Sequence, residues 1–484
     1  MAQRIPVFRA ARLVGVSRST LQRKIREHGV PTFEGSVLAT DLLALYPKLE
    51  LGRDSEYERV QHIKTHAFAR RVRDRMLPGR EVLAERLAEL GHELATTRVQ
   101  LSRYRSVVEQ TITRLRDIGG TPAAAEIHGL LRWIDGMLSE PSTPGDPLQE
   151  LLAQDSVLRL MSAHIKIQPS NHEFWLDGND SLLDAGVRAG LSLNYGCANG
   201  NCGLCKARLV SGEVKQIRHS DYVFSDAEKR MNYILQCACT AVSDVVLEAL
   251  EAKDQNDIPI QDLATRVRKI EPLGDGLSLL HLQTPRANRF RFLAGQSASL
   301  SLPSGAAAEL PIASCPCDDR NILFHIAHRP GDRFTDALTG SLRKGDQVIV
   351  QGPRGNFLLR ENSGRRQIYL AFGTGFAPIK SLIEHAMALD DDASMYLYRW
   401  APREDALYLH NLCRSWADAL EDFHYQPVIA GDARDAVPAL LDAQSTLEDC
   451  DVYLAGASGH VEDATRALLK AGLAAQRLSS SNVD

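Results

Sequence analysis

Residues 195–205 read YGCANGNCGLC, with three cysteines and three glycines in eleven positions. Cys197, Cys202 and Cys205 form the pattern C-x4-C-x2-C, and Cys237 follows 32 residues later in ILQCACTAVSD. Four thiolates at that spacing hold a [2Fe–2S] cluster. To reach two irons the backbone must curl around the inorganic core. Gly196, Gly200 and Gly203 supply the turns and let amide N–H groups approach the sulfurs, where their dipoles favour the charge of the reduced cluster. A structural zinc more often takes two C-x2-C pairs, and one is present here. Cys239 leaves the fourth ligand open between itself and Cys237. Cys315, Cys317, Cys413 and Cys450 read as bystanders, although the close pair at 315 and 317 could respond to oxidants.

Around the loop, from residue 163, short β-type runs (HIKIQP, HEFWL, CKARLVSG, VVLEAL) alternate with Gly, Asp and Asn turns. The stretch from about 163 to 254 resembles a plant-type ferredoxin domain. In that family the fourth cysteine stands seven residues before the Asp of a Ser-Asp pair. The resemblance therefore makes Cys237, seven residues before Asp244, the fourth ligand.

A second β-rich block runs from about 262 to 360, and then YLAFGTGFAPIKSLIEHA (369–386) reads as strand, glycine turn, helix. Gly373 and Gly375 allow a tight turn, and the helix start offers N–H groups to a pyrophosphate. SMYLYRWAP and DVYLAGASG alternate with helical stretches, as a parallel α/β sheet does. Together with FLAGQSASLSLP and PGDRFTDALTGSLRKGDQVIVQGPRGNF, these segments resemble the ferredoxin–NADP reductase superfamily. The order of modules from about 163 to 478 resembles the reductase components of bacterial ring-hydroxylating dioxygenases and multicomponent monooxygenases. That resemblance implies a [2Fe–2S] cluster, a flavin (FAD, with FMN open) and NAD(P)H, with NADH favoured. It also implies an electron-acceptor protein such as an oxygenase. In such enzymes a flavin stands between two-electron hydride donors and one-electron clusters. The dinucleotide residues it implies are Gly373, Thr374, Gly375, Ala377, Pro378 and Gly456.

The flavin motif departs from the family. Where the family has Arg-x-Tyr-Ser/Thr before IAS, for phosphate, ring and N5, this chain has Ala308, Glu309, Leu310 and Pro311. The second phosphate turn is kept as PGDRFT, with Asp332 adding a negative charge. Leu310, Pro311, Gly331 and Thr335 are the flavin-side candidates, with Arg320, Arg333 or Arg354 available to compensate. At the nicotinamide side Ala455, Gly456, Ala457 and Ser458 replace Cys-Gly-x-Pro, and no aromatic residue ends the chain. Arg399 and Arg403 read either as contacts to a 2′-phosphate or as solvated surface. No residue is assigned a catalytic role.

The first third of the chain has a different texture. Leu83, Leu87, Leu90, Leu94, Thr97, Leu101, Tyr104, Val108, Thr111, Leu115 and Ile118 follow alternating steps of four and three. This heptad seam predicts a coiled coil over 81–120 and a homodimer through it. Before it, residues 5–28 predict two short helices split by VGVS, with Ser17 or Ser19 as cap and Leu21 and Ile25 inward. The segment VPTFEGSVLATDLLALYP predicts a small wing and another helix. Residues 1–50 carry eight Lys and Arg against four Asp and Glu. They resemble the winged helix-turn-helix heads of bacterial regulators, which implies DNA contact by Arg18, Ser19, Gln22, Arg23 and Arg26. A packed helical pair shows the same apolar spacing.

The whole chain has a formal net charge of −5, so it is no polycation. No apolar run suits a membrane span and no secretory signal is read, which predicts a cytoplasmic protein without a membrane partner. The expected fold is multidomain α+β and α/β. It comprises a helix-turn-helix head (1–50), a helical linker (51–80), a coiled coil (81–120) and a second helical linker (121–162). A β-grasp ferredoxin domain (163–254), an antiparallel β-barrel flavin domain (255–362) and a parallel α/β NAD(P)-binding domain (363–484) follow. The expected function is an NAD(P)H-dependent iron–sulfur flavoprotein reductase. The alternative is a dimeric redox- or nucleotide-sensing transcriptional regulator on a degenerate reductase body.

Overall fold

The computed structural model describes residues 4–33, 35–47, 78–118, 128–134, 147–274, 276–391, 393–444 and 446–483. Residues 51–77 of the predicted linker over 51–80, and 121–127 and 135–146 of that over 121–162, lie outside these residues.

The head is built from β1 (Arg4–Pro6), α1 (Val7–Val14), α2 (Arg18–Glu27), β2 (Ser36–Leu38) and α3 (Ala39–Leu45), with β1 and β2 antiparallel. Gly15, at φ 73°, ends α1, and Ser17 caps α2 by accepting from the Thr20 N–H at 3.0 Å. The predicted inward residues Leu21 and Ile25 are buried. The helix α4 (Arg80–Ile118) spans 39 residues, about 58 Å at 1.5 Å per residue. Its first turns pack against the body through Val82 and Arg86, whereas Leu87, Leu94, Leu101 and Tyr104 are exposed. Helix α5 (Pro147–Met161) returns to the head, and its Leu151 completes the head's core.

The cysteine-bearing region forms a mixed sheet of β3 (Ser162–Gln168), β4 (Glu173–Asp177), β5 (Lys206–Ser211), β7 (Tyr233–Leu235) and β9 (Val245–Glu248), ordered β4-β3-β9-β5-β7. β6 (Val214–Gln216) and β8 (Cys239–Ala241) pair separately. Helix α6 (Leu182–Arg188) covers the sheet, and α7 (Asp226–Arg230) precedes β7. Alternate residues Ile165, Ile167, Phe174 and Leu176 point into this core, the period-two burial of a half-covered sheet.

The next sheet is antiparallel throughout, with β10 (Gln261–Gly274), β11 (Leu277–Gln283), β12 (Ser297–Ser301), β13 (Ala307–Pro311), β14 (Asn321–Ala327) and β15 (Gln347–Arg354). Its order is β13-β12-β15-β10-β11-β14. The predicted barrel is thus an open sheet. Its edges β13 and β14 do not form a ladder; beyond the end of β13, Ala313 N–H reaches Leu323 C=O at 2.8 Å. Pro311, which ends β13, has no N–H to extend pairing there. Helix α8 (Arg333–Gly340) follows β14.

The last sheet is parallel: β16 (Arg366–Phe372), β17 (Met395–Ala401), β18 (Phe423–Ile429), β19 (Cys450–Gly456) and β20 (Leu478–Asn482), in the order β18-β17-β16-β19-β20. Helices α9 (Phe376–Leu389), α10 (His410–Ala419), α11 (Ala436–Ala443) and α12 (Ser458–Lys470) alternate with the strands. Ile368 to Phe372 are buried on both faces, as a central parallel strand requires. Strand order reverses between β16 and β19, which places a ligand crevice at their carboxyl ends.

Candidate functional site

The cysteine loop connects α6 to β5. Gly200 and Gly203 hold φ +92° and +73°, and a Cβ at Gly203 would lie 2.2 Å from the Tyr222 ring. The loop turns its amides onto sulfur. Cys197 N–H reaches Cys202 Sγ at 3.4 Å, Cys202 N–H reaches Cys197 Sγ at 3.3 Å, and Leu204 N–H reaches Cys202 Sγ at 3.5 Å. Cys205 Sγ and Cys237 Sγ lie 3.2 Å apart. Burial works to raise the Cys197 thiol, but backbone N–H groups of Asn199 and Cys202 outweigh it and lower its pKa. The hydrogen bond from Cys205 draws Cys237 down to about 7. Cys239 opens β8, and burial pushes its thiol up to about 11.

The loop is clamped to the antiparallel sheet by residues that sequence reasoning missed. Tyr195, two positions before Cys197, donates its hydroxyl to Asp319 at 2.7 Å. Arg289 bridges Asp319 at 3.3 Å and Asp184 at 2.6 Å, and Asp184 also accepts from Arg218 at 3.0 Å. Arg218 donates in turn to the Cys237 carbonyl at 3.3 Å. Arg291 lies over the Tyr195 ring and donates to the Tyr195 carbonyl and to Asn194. Arg289 and Arg291 are both buried, which arginine tolerates only when paired. Their one sequence signal is the alternation RFRF at 289–292, charged residues interleaved with two core phenylalanines.

On the antiparallel sheet, Leu310 and Ala308 pack on the core, Pro311 is buried, and Glu309 accepts from Ser297 Oγ at 2.8 Å. Gly331, at φ +85°, leads into Asp332, the N-cap of α8. The two carboxylate oxygens of Asp332 accept from Phe334 N–H at 3.2 Å and Thr335 N–H at 3.4 Å. The Thr335 hydroxyl donates to the Arg329 carbonyl at 3.0 Å. Arg320, Arg333 and Arg354 are exposed, and Arg354 donates to Gln351. Cys315 and Cys317 are joined by a disulfide in the segment after β13. Lys380 of α9 ties that segment to the parallel sheet, donating to Ala313 C=O at 3.1 Å and pairing with Glu384 at 2.6 Å.

At the crevice Gly373 has φ +53°, and Gly373 and Thr374 reach the surface. Gly375 must lack a Cβ, which would fall 2.1 Å from the Ala455 carbonyl. Ala377 and Pro378 are buried in the first turn of α9, and Gly456 ends β19 across the crevice. Phe372, Trp400 and His460 form an aromatic trio at the strand ends, with centroids 5.3–6.0 Å apart, that sequence reasoning also missed. Arg399 corrects an expectation. It is buried, donates to the Tyr408 carbonyl at 2.7 Å and lies 3.8 Å over the Phe376 ring, so it is not free for a 2′-phosphate. Arg403 pairs with Asp405.

The head is turned on the protein itself. Arg18 pairs with Glu173 at 3.4 Å, and Arg23 with Glu421 at 3.3 Å and Asp422 at 3.4 Å. Arg26 donates to the Gln22 carbonyl of its own helix. Arg9 reaches Asp155 and Asp244, Arg12 reaches Asp177, and Phe8 stacks on Trp175. Two of the five residues expected to contact DNA therefore engage the body's carboxylates.

A model of the 2Fe-2S iron-sulfur cluster binding domain matches residues 165–242, and one of the oxidoreductase NAD-binding domain matches residues 369–466. The CDP-6-deoxy-L-threo-D-glycero-4-hexulose-3-dehydrase reductase of Yersinia pestis is 29% identical over 327 residues, covering 66% of this chain and 98% of that protein. Reductase component 2 of terephthalate 1,2-dioxygenase from Comamonas sp is 28% identical over 324 residues, covering 65% and 96%. Protein RfbI of Salmonella typhimurium is 30% identical over 336 residues, covering 66% of this chain and 96% of that one. The chain belongs to the iron–sulfur flavoprotein reductases. This reductase is similar in fold to the crystal structure of Amycolatopsis cytochrome P450 reductase GcoB, at 23% identity and TM-score 0.44, covering 66% and 98%. It is an NAD(P)H-dependent, ferredoxin-type reductase, and the family's cofactors are a [2Fe–2S] cluster, a flavin and NAD(P)H.

The residues of this reductase fit those groups unequally. The cysteine loop fits the cluster, because its thiols converge and backbone N–H groups already point at sulfur. The turn fits a dinucleotide, because Gly373 and Thr374 reach the surface at the strand ends ahead of α9, with open space at Gly373, while Gly375 lets the turn pack on the Ala455 carbonyl. The flavin's phosphate end does not fit, because the Phe334 and Thr335 amides in the first turn of α8 are taken by Asp332, itself an anion. Among the described residues no helix is long and apolar enough to cross a membrane.

Proposed function

We propose that this reductase carries electrons from NAD(P)H to a cluster held by Cys197, Cys202, Cys205 and Cys237, and on to an acceptor protein. The observation that carries the reading is the Tyr195–Asp319–Arg289–Asp184 network, which locks the cysteine loop to the sheet that precedes the dinucleotide crevice. When bound, a flavin supplies the exchange between hydride and single electrons, and the cluster supplies a one-electron site. Gly373, Thr374, Gly375, Ala377, Pro378 and Gly456 hold the dinucleotide against the N-terminal turn of α9. Leu310, Pro311, Gly331 and Thr335 border the flavin. Arg289 and Arg291 position the cluster loop.

The cofactor preferred is NADH, since Arg399 is buried and Arg403 is paired with Asp405. Relatives named as reductase components of a dioxygenase and of propane 2-monooxygenase support an oxygenase as acceptor. The domains are read as a head to residue 50, linkers at 51–80 and 121–162, a coiled coil at 81–120, a β-grasp ferredoxin domain at 163–254, a flavin domain at 255–362 and a dinucleotide domain at 363–484. The exposed leucines of α4 support a homodimer through that helix. The ion pairs of Arg18 and Arg23 favour a docked accessory head over the regulator reading.

The test is anaerobic titration of purified protein with NADH and added flavin, followed by visible absorption and electron paramagnetic resonance. Bleaching of the cluster bands with a reduced-cluster signal is expected, and NADPH should be less effective. A cluster that dithionite reduces and NADH with flavin does not reduce would overturn the proposal.

A further inference from the structure

We infer that Asp332 makes this reductase read flavin by its ring and not by its phosphates, so that riboflavin binds at least as well as FMN or FAD. The inference rests on the proposed placement of flavin beside residues 308–311 and 331–335. A phosphate at the start of α8 would need the free N–H groups that a helix N-terminus offers to anions. Here the Asp332 carboxylate already occupies those donors, with Oδ1 accepting from Phe334 N–H at 3.2 Å and Oδ2 from Thr335 N–H at 3.4 Å. The Thr335 hydroxyl is committed as well, to the Arg329 carbonyl at 3.0 Å.

An entering phosphate must displace the carboxylate and then remain beside it, two anions sharing one set of donors. The two adjoining cations, Arg329 and Arg333, do not reverse the balance, because both are exposed, where water screens them, and Arg333 lies between Asp332 and Asp336, the latter also in the first turn of α8. The strand that faces the ring contributes no cation either: Ala308 is apolar, and Glu309 adds a carboxylate accepting from Ser297. The ring itself needs none of these donors, so the isoalloxazine portion, common to riboflavin, FMN and FAD, is the part this site can take.

The test is equilibrium dialysis of riboflavin, FMN and FAD against the full-length, cluster-loaded protein and two variants. Asp332→Gly frees both amides and, as glycine is a tolerated N-cap, costs the helix little. Asp332→Asn keeps a capping oxygen but removes the charge, which separates occupancy from repulsion. For the unaltered protein, FAD should bind no tighter than riboflavin, within about threefold. Asp332→Gly should tighten FAD and FMN by about tenfold or more and leave riboflavin unchanged, a shift of one decade in Kd. Asp332→Asn should fall between. An FAD preference of about tenfold in the unaltered chain, or an unchanged FAD-to-riboflavin ratio in Asp332→Gly, would overturn the inference alone. Failure of all three flavins to bind either protein would overturn the flavin placement and the inference with it.

Discussion

Cys237 and Cys239 lie two positions apart, and their surroundings separate them. Cys237 faces Cys205 at 3.2 Å and has its thiol drawn down to about 7 by that partner, whereas burial holds Cys239 at about 11 on a strand of the core. The convergence of its sulfur with that of Cys205 supports Cys237 as the fourth ligand. Cys237→Ala should abolish the visible iron–sulfur absorption, and Cys239→Ala should retain it in full; the reverse pattern in spectra of anaerobically purified protein would move the fourth ligand. Asp184 is the second residue whose surroundings set its chemistry. Burial alone would raise its carboxyl, but the charge and hydrogen bond of Arg289, with Ser181 and Arg218, hold it at about 2. A folded pKa below the unfolded value near 3.9 stabilises the protein above pH of about 4. That contribution fades as pH falls toward 2, with a full size on the order of 2–3 kcal/mol. Urea melts between pH 3 and 7 should show this loss, and Asp184→Asn should be less stable at pH 7 and flatter across the range.

The elements of the N-terminal third show what periodicity specifies and what it leaves open. A step of seven places Leu87, Leu94 and Leu101 on one stripe of α4, and all three are exposed in the single chain. The helix is instead anchored by Val82 and Arg86, with Arg86 donating to the Leu160 and Ala241 carbonyls at 2.9 Å each. That anchor lies off the heptad seam and leaves Leu87, Leu94, Leu101 and Tyr104 exposed, the stripe on which the proposed dimer depends. Replacing Leu94 and Leu101 together by Glu should convert a dimer to a monomer in sedimentation experiments without changing the cluster spectrum. A chain already monomeric before substitution would sink the coiled-coil reading. The head illustrates the converse. Its basic helix fits the spacing of a DNA-reading element, yet Arg18 and Arg23 are matched by Glu173, Glu421 and Asp422. Those carboxylates lie about 150 to 400 positions away in the chain, beyond any local pattern.

Across the whole molecule, two bridges join the three sheets over which the proposed electron transfer would run. Tyr195, Asp319 and Arg289 join the cysteine loop to the antiparallel sheet, and Lys380 joins that sheet to the dinucleotide helix through Ala313. Tyr195→Phe removes one hydroxyl donor and leaves the Asp319 carboxylate short of a partner in a buried site. The expected cost is about 1–3 kcal/mol of stability. Cluster absorption should be retained while the rate of cluster reduction by NADH falls in stopped-flow measurements. An unchanged rate would assign the clamp to stability alone.

The chain by itself determined the features whose chemistry is local. The spacing of Cys197, Cys202 and Cys205 and its glycines predict the loop because these three ligands must converge within a few residues, whereas spacing alone left the fourth open between Cys237 and Cys239. The GTG turn between β16 and α9, the helices of the head and the length of α4 are equally legible, since each follows from glycine freedom or a helical period. Tertiary structure decided the rest. The open edge between β13 and β14, the burial of Arg399, the Asp332 cap over the α8 amides and the Arg289–Asp184–Asp319 network were not read from the pattern. RFRF at 289–292 showed alternation but not which carboxylates Arg289 or which oxygens Arg291 would meet. Buried charge survives only with a partner, and those of Arg289 stand 30 and 105 positions away, those of Arg291 96 and 97. Folding, and not spacing, brings them together.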